Sequence, residues 1–156
     1  VRVDQLREEF PLDVAWHPFE LHPGTPPQGI PLERILNRGL YTSQYLAYVE
    51  EAMARAGIQM KRRGLLPNSR PALEAAEFAR EAGRFQPLHR ALFRAYSEEG
   101  EDIGDEKVLT RLAADCSLNA GALAAALRER RYQKRVEEKV RWAYEQNLGG
   151  VPAFIF

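Results

Sequence analysis

From about residue 42 to residue 148, apolar side chains recur every three or four positions, the period of helices that each bury one face. The pattern predicts separate pieces with recognisable ends. One helix covers residues 42–55, with Tyr45, Tyr48, Val49 and Ala52 on a face and Gly57 as its stop. A second begins near Asn68 and Ser69, carries an alanine-rich stretch and ends at Gly83; a third runs over residues 86–98 before Gly100. Asp105 is the N-cap of a fourth, whose stripe is Val108, Leu109, Leu112 and Cys116, and Asn119 caps a fifth. A charged last helix covers residues 131–147, with Val136, Val140, Ala143 and Tyr144 inward.

Outside this block the period changes. Val3, Leu6 and Phe10 keep helical spacing from the first residues, with no capping residue before them. Residues 12–17 alternate apolar with polar and read as a strand that Pro18 ends or sends to an edge. Residues 20–31 hold Pro23, Gly24, Pro26, Pro27, Gly29 and Pro31, too many breakers for a regular element, and are expected to form a long loop. At the far end Gly149 and Gly150 precede Val151, Pro152 and the run Ala153, Phe154, Ile155, Phe156, which reads as an apolar strand. Two lone strands do not make a stable sheet. The pattern therefore predicts partner strands beyond both ends, so the chain is expected to be the interior of a longer protein with a helical block set between two sheet-forming parts.

Composition narrows the function. The 156 residues are 45% hydrophobic, enough for one domain with a substantial core. Twenty-two basic residues balance 22 acidic ones, so no overall field favours nucleic acid or an anionic membrane. The basic clusters are Lys61-Arg62-Arg63 and the run from Arg128 to Arg135, and the second is balanced by Glu137 and Glu138, as on a solvated helix face. No apolar run is long enough to span a bilayer. His17, His22 and His89 are too scattered for a metal motif, and no metal site is expected. Tyr45, Tyr48, Phe78, Phe93, Tyr96 and Trp142 fall mainly on helical stripes and are expected in the core.

The single cysteine, Cys116, excludes a disulfide framework within these residues. Its apolar stripe and its place near a helix C-terminus, where the dipole disfavours a thiolate, make it a core residue rather than a redox group. Pro152 is the stronger candidate. A proline lacks a backbone donor and tolerates a cis bond, so at the first residue of a strand it frees an edge for an incoming chain.

Four segments together resemble the DsbA-like thioredoxin proteins, and within them the FrnE-like branch of dithiol-disulfide isomerases. They are Trp16-His17-Pro18-Phe19-Glu20-Leu21 with the Pro-rich loop to Gly29; Arg90-Ala91-Leu92-Phe93-Arg94-Ala95-Tyr96 followed by Asp102-Ile103; Val108-Leu109 leading to Leu118; and Gly149-Gly150-Val151-Pro152-Ala153-Phe154. The resemblance implies an α/β fold: a thioredoxin-like sheet, contributed here by residues 1–31 and 149–156, with a large all-helical subdomain inserted over residues 32–148. It implies a thiol-disulfide oxidoreductase or isomerase. In that family a Cys-x-x-Cys pair opens the first helix, and the helix dipole and free amides there lower the thiolate pKa. This chain lacks the pair, whose expected place is just upstream of Val1, so no catalytic residue is assigned within the chain. Pro152 is expected to be cis and, with Val151, to bind substrate; Phe19 and His22 are expected to line the cleft.

The expected partner is a thiol- or disulfide-containing protein or small molecule, not nucleic acid or a membrane, and the expected compartment is the cytoplasm. No bound cofactor is expected, although glutathione is a candidate co-substrate. Two alternatives stay open: a glutathione-dependent isomerase or transferase similar to the 2-hydroxychromene-2-carboxylate isomerases and kappa-class transferases, and a non-catalytic module that keeps the peptide-binding edge for docking.

Overall fold

The computed structural model describes residues 2–37, 42–61 and 64–155. In chain order these form α1 (Arg2–Glu9), β1 (Ile30–Pro31), α2 (Leu32–Asn37), α3 (Ser43–Arg55), β2 (Leu65–Leu66), α4 (Arg70–Glu81), α5 (Phe85–Arg94), α6 (Glu106–Asp115), α7 (Ala120–Arg128) and α8 (Gln133–Glu145). A π-helical turn, Ala95–Glu99, continues α5.

The predicted helix ends are local chemistry. Asp105 accepts a hydrogen bond from the Lys107 amide at 2.8 Å, and Asn119 accepts one from the Ala122 amide at 2.9 Å, each satisfying an orphan donor of a first turn. Thr42 does the same for α3 through the Tyr45 amide at 3.0 Å. Gly57, Gly83 and Gly100 follow their helices in the left-handed region. Ser69 makes no side-chain cap; instead Asn68 Oδ1 accepts from the Arg70 amide at 2.9 Å.

The core lies among α4, α5, α6 and α7. Ala75 and Ala79 of α4, Leu88 of α5, Leu109 and Leu112 of α6 and Leu123 of α7 are all fully buried in it. The alanine stripe of α4 is what lets its neighbours approach closely, and each buried leucine contributes about 1.5–3 kcal/mol of transfer free energy. Helix α8 packs on α4, with Val136, Val140 and Ala143 buried as predicted, while Tyr144 stays exposed on the side of the Pro-rich loop.

Several expectations are corrected. Residues 12–17 form no strand: the segment is irregular, and Trp16 and His17 dock on rings of α5 and α8 instead of entering a ladder. The Val151 to Ile155 stretch is likewise irregular, with Phe154 and Ile155 about 60% exposed, because no described strand lies beside it; Phe156 is outside the described residues. The Pro-rich loop is not wholly irregular. Its last residues form β1, antiparallel to β2, pairing Ile30 with Leu66 and Pro31 with Leu65. Gly29 makes this approach possible, since its φ is +74° and a Cβ there would lie 2.7 Å from the Leu66 carbonyl oxygen.

The aromatic stripes are corrected too. Tyr45, Tyr48, Phe93 and Trp142 are exposed, and α3 buries no residue at all. Leucine and alanine, not aromatics, fill the core; Phe78 only packs against its margin. Cys116 is half-buried at the end of α6, beside that core.

Candidate functional site

The C-terminal half of the site starts where α8 ends. Asn147 takes a left-handed conformation, and the Leu148 amide donates back to the Ala143 carbonyl at 3.1 Å, which turns the chain away from the helix axis. Gly149 and Gly150 follow, then Val151 and Pro152, whose peptide bond is cis. A Cβ at either glycine would meet nothing within 4 Å, so close packing does not demand glycine there. The Val151 side chain is half exposed, and among the described residues its backbone N–H and C=O make no hydrogen bond.

The other half is the segment from Trp16 to the Pro-rich loop, which runs over α5, α4 and α8 with one side chain docked at each step. The Trp16 ring lies 4.8 Å from His89, its carbonyl accepts from Arg80 Nη2 at 2.7 Å, and His17 stacks on Trp142 at 4.8 Å. Phe19 meets Tyr144 at 5.2 Å, and the Tyr144 hydroxyl donates to the Glu20 carbonyl at 3.3 Å. Phe19 is thus brought onto the last turn of α8, just before the Gly149 to Pro152 turn. His22 is half-buried and shapes the loop itself, its carbonyl accepting from the Thr25 amide and from Thr25 Oγ1 at 2.8 Å.

Two ion networks fix this segment and α8 to α4. Glu20 is buried, and Arg70 donates to it from Nε at 2.7 Å and from Nη2 at 2.6 Å, while Nη1 reaches Glu137 of α8 at 3.0 Å. That fork is the geometry in which a guanidinium binds a carboxylate most strongly, and the Glu20 hydrogen bond raises the Arg70 pKa. Deeper, Glu77 is fully buried and accepts from Lys139 Nζ at 2.7 Å on both oxygens, with Arg80 Nε at 3.4 Å. Two cavities adjoin these networks. One of about 500 Å³ lies between Glu20, Arg70, Val140 and Tyr144, and one of about 570 Å³ opens between the Pro-rich loop, α4 and the α7–α8 turn. Neither is lined by Val151, Pro152, Phe19 or His22.

Burial lowers the pKa of His89, with the Arg80 and Arg90 charges adding to it, and lowers that of His17, helped by Lys139 and Arg80. Both imidazoles therefore resist protonation. Burial pushes the Cys116 thiol up, and Asp115 pushes it further, the opposite of what activates a nucleophile. No group of three or more His, Cys, Asp or Glu among the described residues could hold a metal ion, and no described helix is long and apolar enough to cross a membrane. Arg130 apart, the basic run is paired more widely than its spacing implied: Arg128 faces Glu106, Arg131 faces Glu129, Arg135 faces Glu81 and Lys134 faces Glu138, whereas Glu137 turns to Arg70. In the other basic cluster, Arg62 and Arg63 lie outside the described residues.

Sequence reasoning missed Glu20, Arg70, Glu74, Glu77 and Lys139. One signal was there: Glu74 and Glu77 stand three apart on the same stripe as Ala72, Ala75, Ala76 and Ala79, where two carboxylates need partners from elsewhere.

Comparison with known proteins gives two findings. The family model of the DSBA-like thioredoxin domain matches residues 1–156. A protein of Bacillus subtilis (strain 168), described as uncharacterized protein YwbO, is 28% identical over 151 residues, an alignment that covers 92% of this chain and 72% of the relative.

Proposed function

The chain belongs to the DSBA-like thioredoxin domain family, and from that premise we propose that it is the substrate-holding part of a thiol-disulfide oxidoreductase of the FrnE-like branch that works by mixed-disulfide exchange. The family match over the whole chain carries this reading. Such domains act on thiols and disulfides, and the chemistry requires a cysteine pair, which Cys116 alone cannot supply. In this reading the pair precedes Val1. Its first thiolate attacks one sulfur of a substrate disulfide, the substrate S–S bond breaks, and the departing sulfur leaves as a thiolate that takes up a proton. The second cysteine then attacks the mixed disulfide, releasing the other substrate sulfur and leaving the pair oxidised. In this direction the substrate disulfide is reduced; run backwards, the same steps oxidise a substrate dithiol, and run in both senses they isomerise a disulfide.

Val151 and Pro152 hold the substrate in this proposal. The open N–H and C=O of Val151 support it, because an extended peptide laid beside them gains main-chain hydrogen bonds without displacing existing ones. Phe19, on Tyr144, and His22, within the Pro-rich loop, form the facing wall, and in this reading residues 1–31 and 149–156 belong to the thioredoxin-like domain with residues 32–148 inserted between them.

Thiol labelling of the intact protein followed by mass measurement, paired with an insulin-reduction assay, tests this. Two labelled cysteines upstream of Val1 and turnover are expected, with the KM for a peptide disulfide raised about tenfold, one lost hydrogen-bonding site's worth, in Val151→Pro. The absence of that pair ends the proposal. Tight glutathione binding without insulin reduction favours a glutathione-dependent isomerase or transferase instead.

A further inference from the structure

The cavity of about 570 Å³ has a carboxyl with nothing to hold. Glu74 lines it and is 5% exposed, and its Oε2 is buried with no hydrogen-bond donor in reach. Buried carboxyl oxygens without a partner are rare and costly, and one facing a cavity of ligand size points to a donor that occupies it. The charged neighbours on the walls are already engaged. Arg70 is held by Glu20 and Glu137, Glu137 also accepts from Gln133 at 2.8 Å, and Arg128 faces Glu106 at 3.7 Å. Asn68 is spent on the Thr25 carbonyl and the Arg70 amide. Arg130 is the exception. It lines the same cavity, acts electrostatically on Glu74, and its guanidinium makes no hydrogen bond or ion pair among the described residues.

The cavity thus presents two uncommitted groups of opposite sign. We propose that it is a binding site for a small zwitterion, an α-amino acid or short peptide whose ammonium is held by Glu74 and whose carboxylate is held by Arg130. An ammonium has three donors and no acceptor, which suits a carboxylate oxygen that lacks a donor, and a guanidinium pairs with a carboxylate through two parallel N–H donors. A single-charge ligand answers only one wall. A simple cation leaves Arg130 unpaired, and a simple anion meets Glu74, Glu20 and Glu137 with no gain at Oε2. Burial pushes the Glu74 carboxyl up against the pull of Arg70 and Arg130, so an ammonium beside it also relieves the cost of keeping it charged.

The site is tested by calorimetric titration of the intact protein with glycine, glycylglycine and triglycine, a ladder of zwitterions with growing charge separation, against methylamine and acetate. One member of the ladder is expected to bind at least about tenfold more tightly than either single-charge probe, with Glu74→Gln and Arg130→Gln each weakening it about tenfold, the size of one lost charge-assisted hydrogen bond. Arg130 is exposed, so R130Q stays informative even if E74Q does not fold. Equal binding of all probes, no binding of any zwitterion, or unchanged affinity in R130Q overturns the proposal.

Discussion

Arg70 holds both carboxylate oxygens of Glu20 from a separation of 50 residues, closing the Pro-rich loop onto the first turn of α4. Glu20 is almost fully buried and Arg70 is partly open to water, so this is a pair whose desolvation has already been paid by folding. Removing one partner leaves a buried charge behind. Arg70→Leu is expected to lower stability by about 3 kcal/mol, at the low end for a buried pair because Arg70 is partly hydrated. A double-mutant cycle with Glu20→Gln in urea unfolding should give a coupling above about 1 kcal/mol; additive single effects would show that the contact holds nothing.

Lys139 and Glu77 make the second clasp, between α8 and α4. Lys139→Met leaves a carboxylate that is 1% exposed with Arg80 at 3.4 Å as its remaining partner, and should cost about 3 kcal/mol, the low end for a broken buried pair. Replacing both, as Glu77→Leu with Lys139→Met, is expected to recover most of that loss, since two apolar chains of similar volume need no desolvation. Denaturant midpoints of the three proteins check both statements.

The two depressed histidines should each lose stability on acidification through the histidine range. His89 and His17 have folded pKa values below the unfolded 6.5, so between those values the unfolded chain binds more protons. Their contribution is complete above 6.5 and is lost as pH falls through the depressed folded values. Glu74 has the reverse sign: its pKa is raised above 4.5, so its contribution is present below that value and is lost as pH rises through the raised one. On acidification from about pH 7.5 to about pH 5, the unfolding midpoint of His89→Phe should fall less, or rise more, than that of the unsubstituted protein, since the ring is kept among Trp16, Phe85 and Phe93 and the titrating group is removed.

Cys116 should be a slow thiol. With its pKa raised by burial and by Asp115, its alkylation by iodoacetamide at neutral pH should lag a free peptide thiol and accelerate on raising the pH. Cys116→Ala should leave disulfide exchange unchanged. Rapid alkylation at neutral pH, or loss of exchange in C116A, would give this residue the redox role denied to it here.

The helices of this protein were legible because their determinants are local. Asp105 and Asn119 cap the helices that follow them, the glycines at 57, 83 and 100 stop helices, and the Leu88, Leu109 and Leu112 stripes face one core, all within a few residues of where each signal stands. Cys116 beside the core was legible for the same reason. The strands were not. Alternation over residues 12–17 shows which side chains point together but not whether a neighbouring backbone exists to pair with, and here Trp16 and His17 spend it on rings from α5 and α8. The β1–β2 ladder was hidden for the converse reason, since Pro31 reads as a breaker until Leu65 arrives opposite it.

What the sequence determined by itself is where most of the helices start and stop, and the DsbA-like resemblance that the family match shares. What only the tertiary structure decided is which charges meet. Glu20 with Arg70, Glu77 with Lys139, and Glu74 beside Arg130 in a shared cavity join positions some 50 to 60 residues apart. Residues so distant are joined by packing of whole helices, and no local pattern encodes which of many glutamates and arginines that packing will bring face to face.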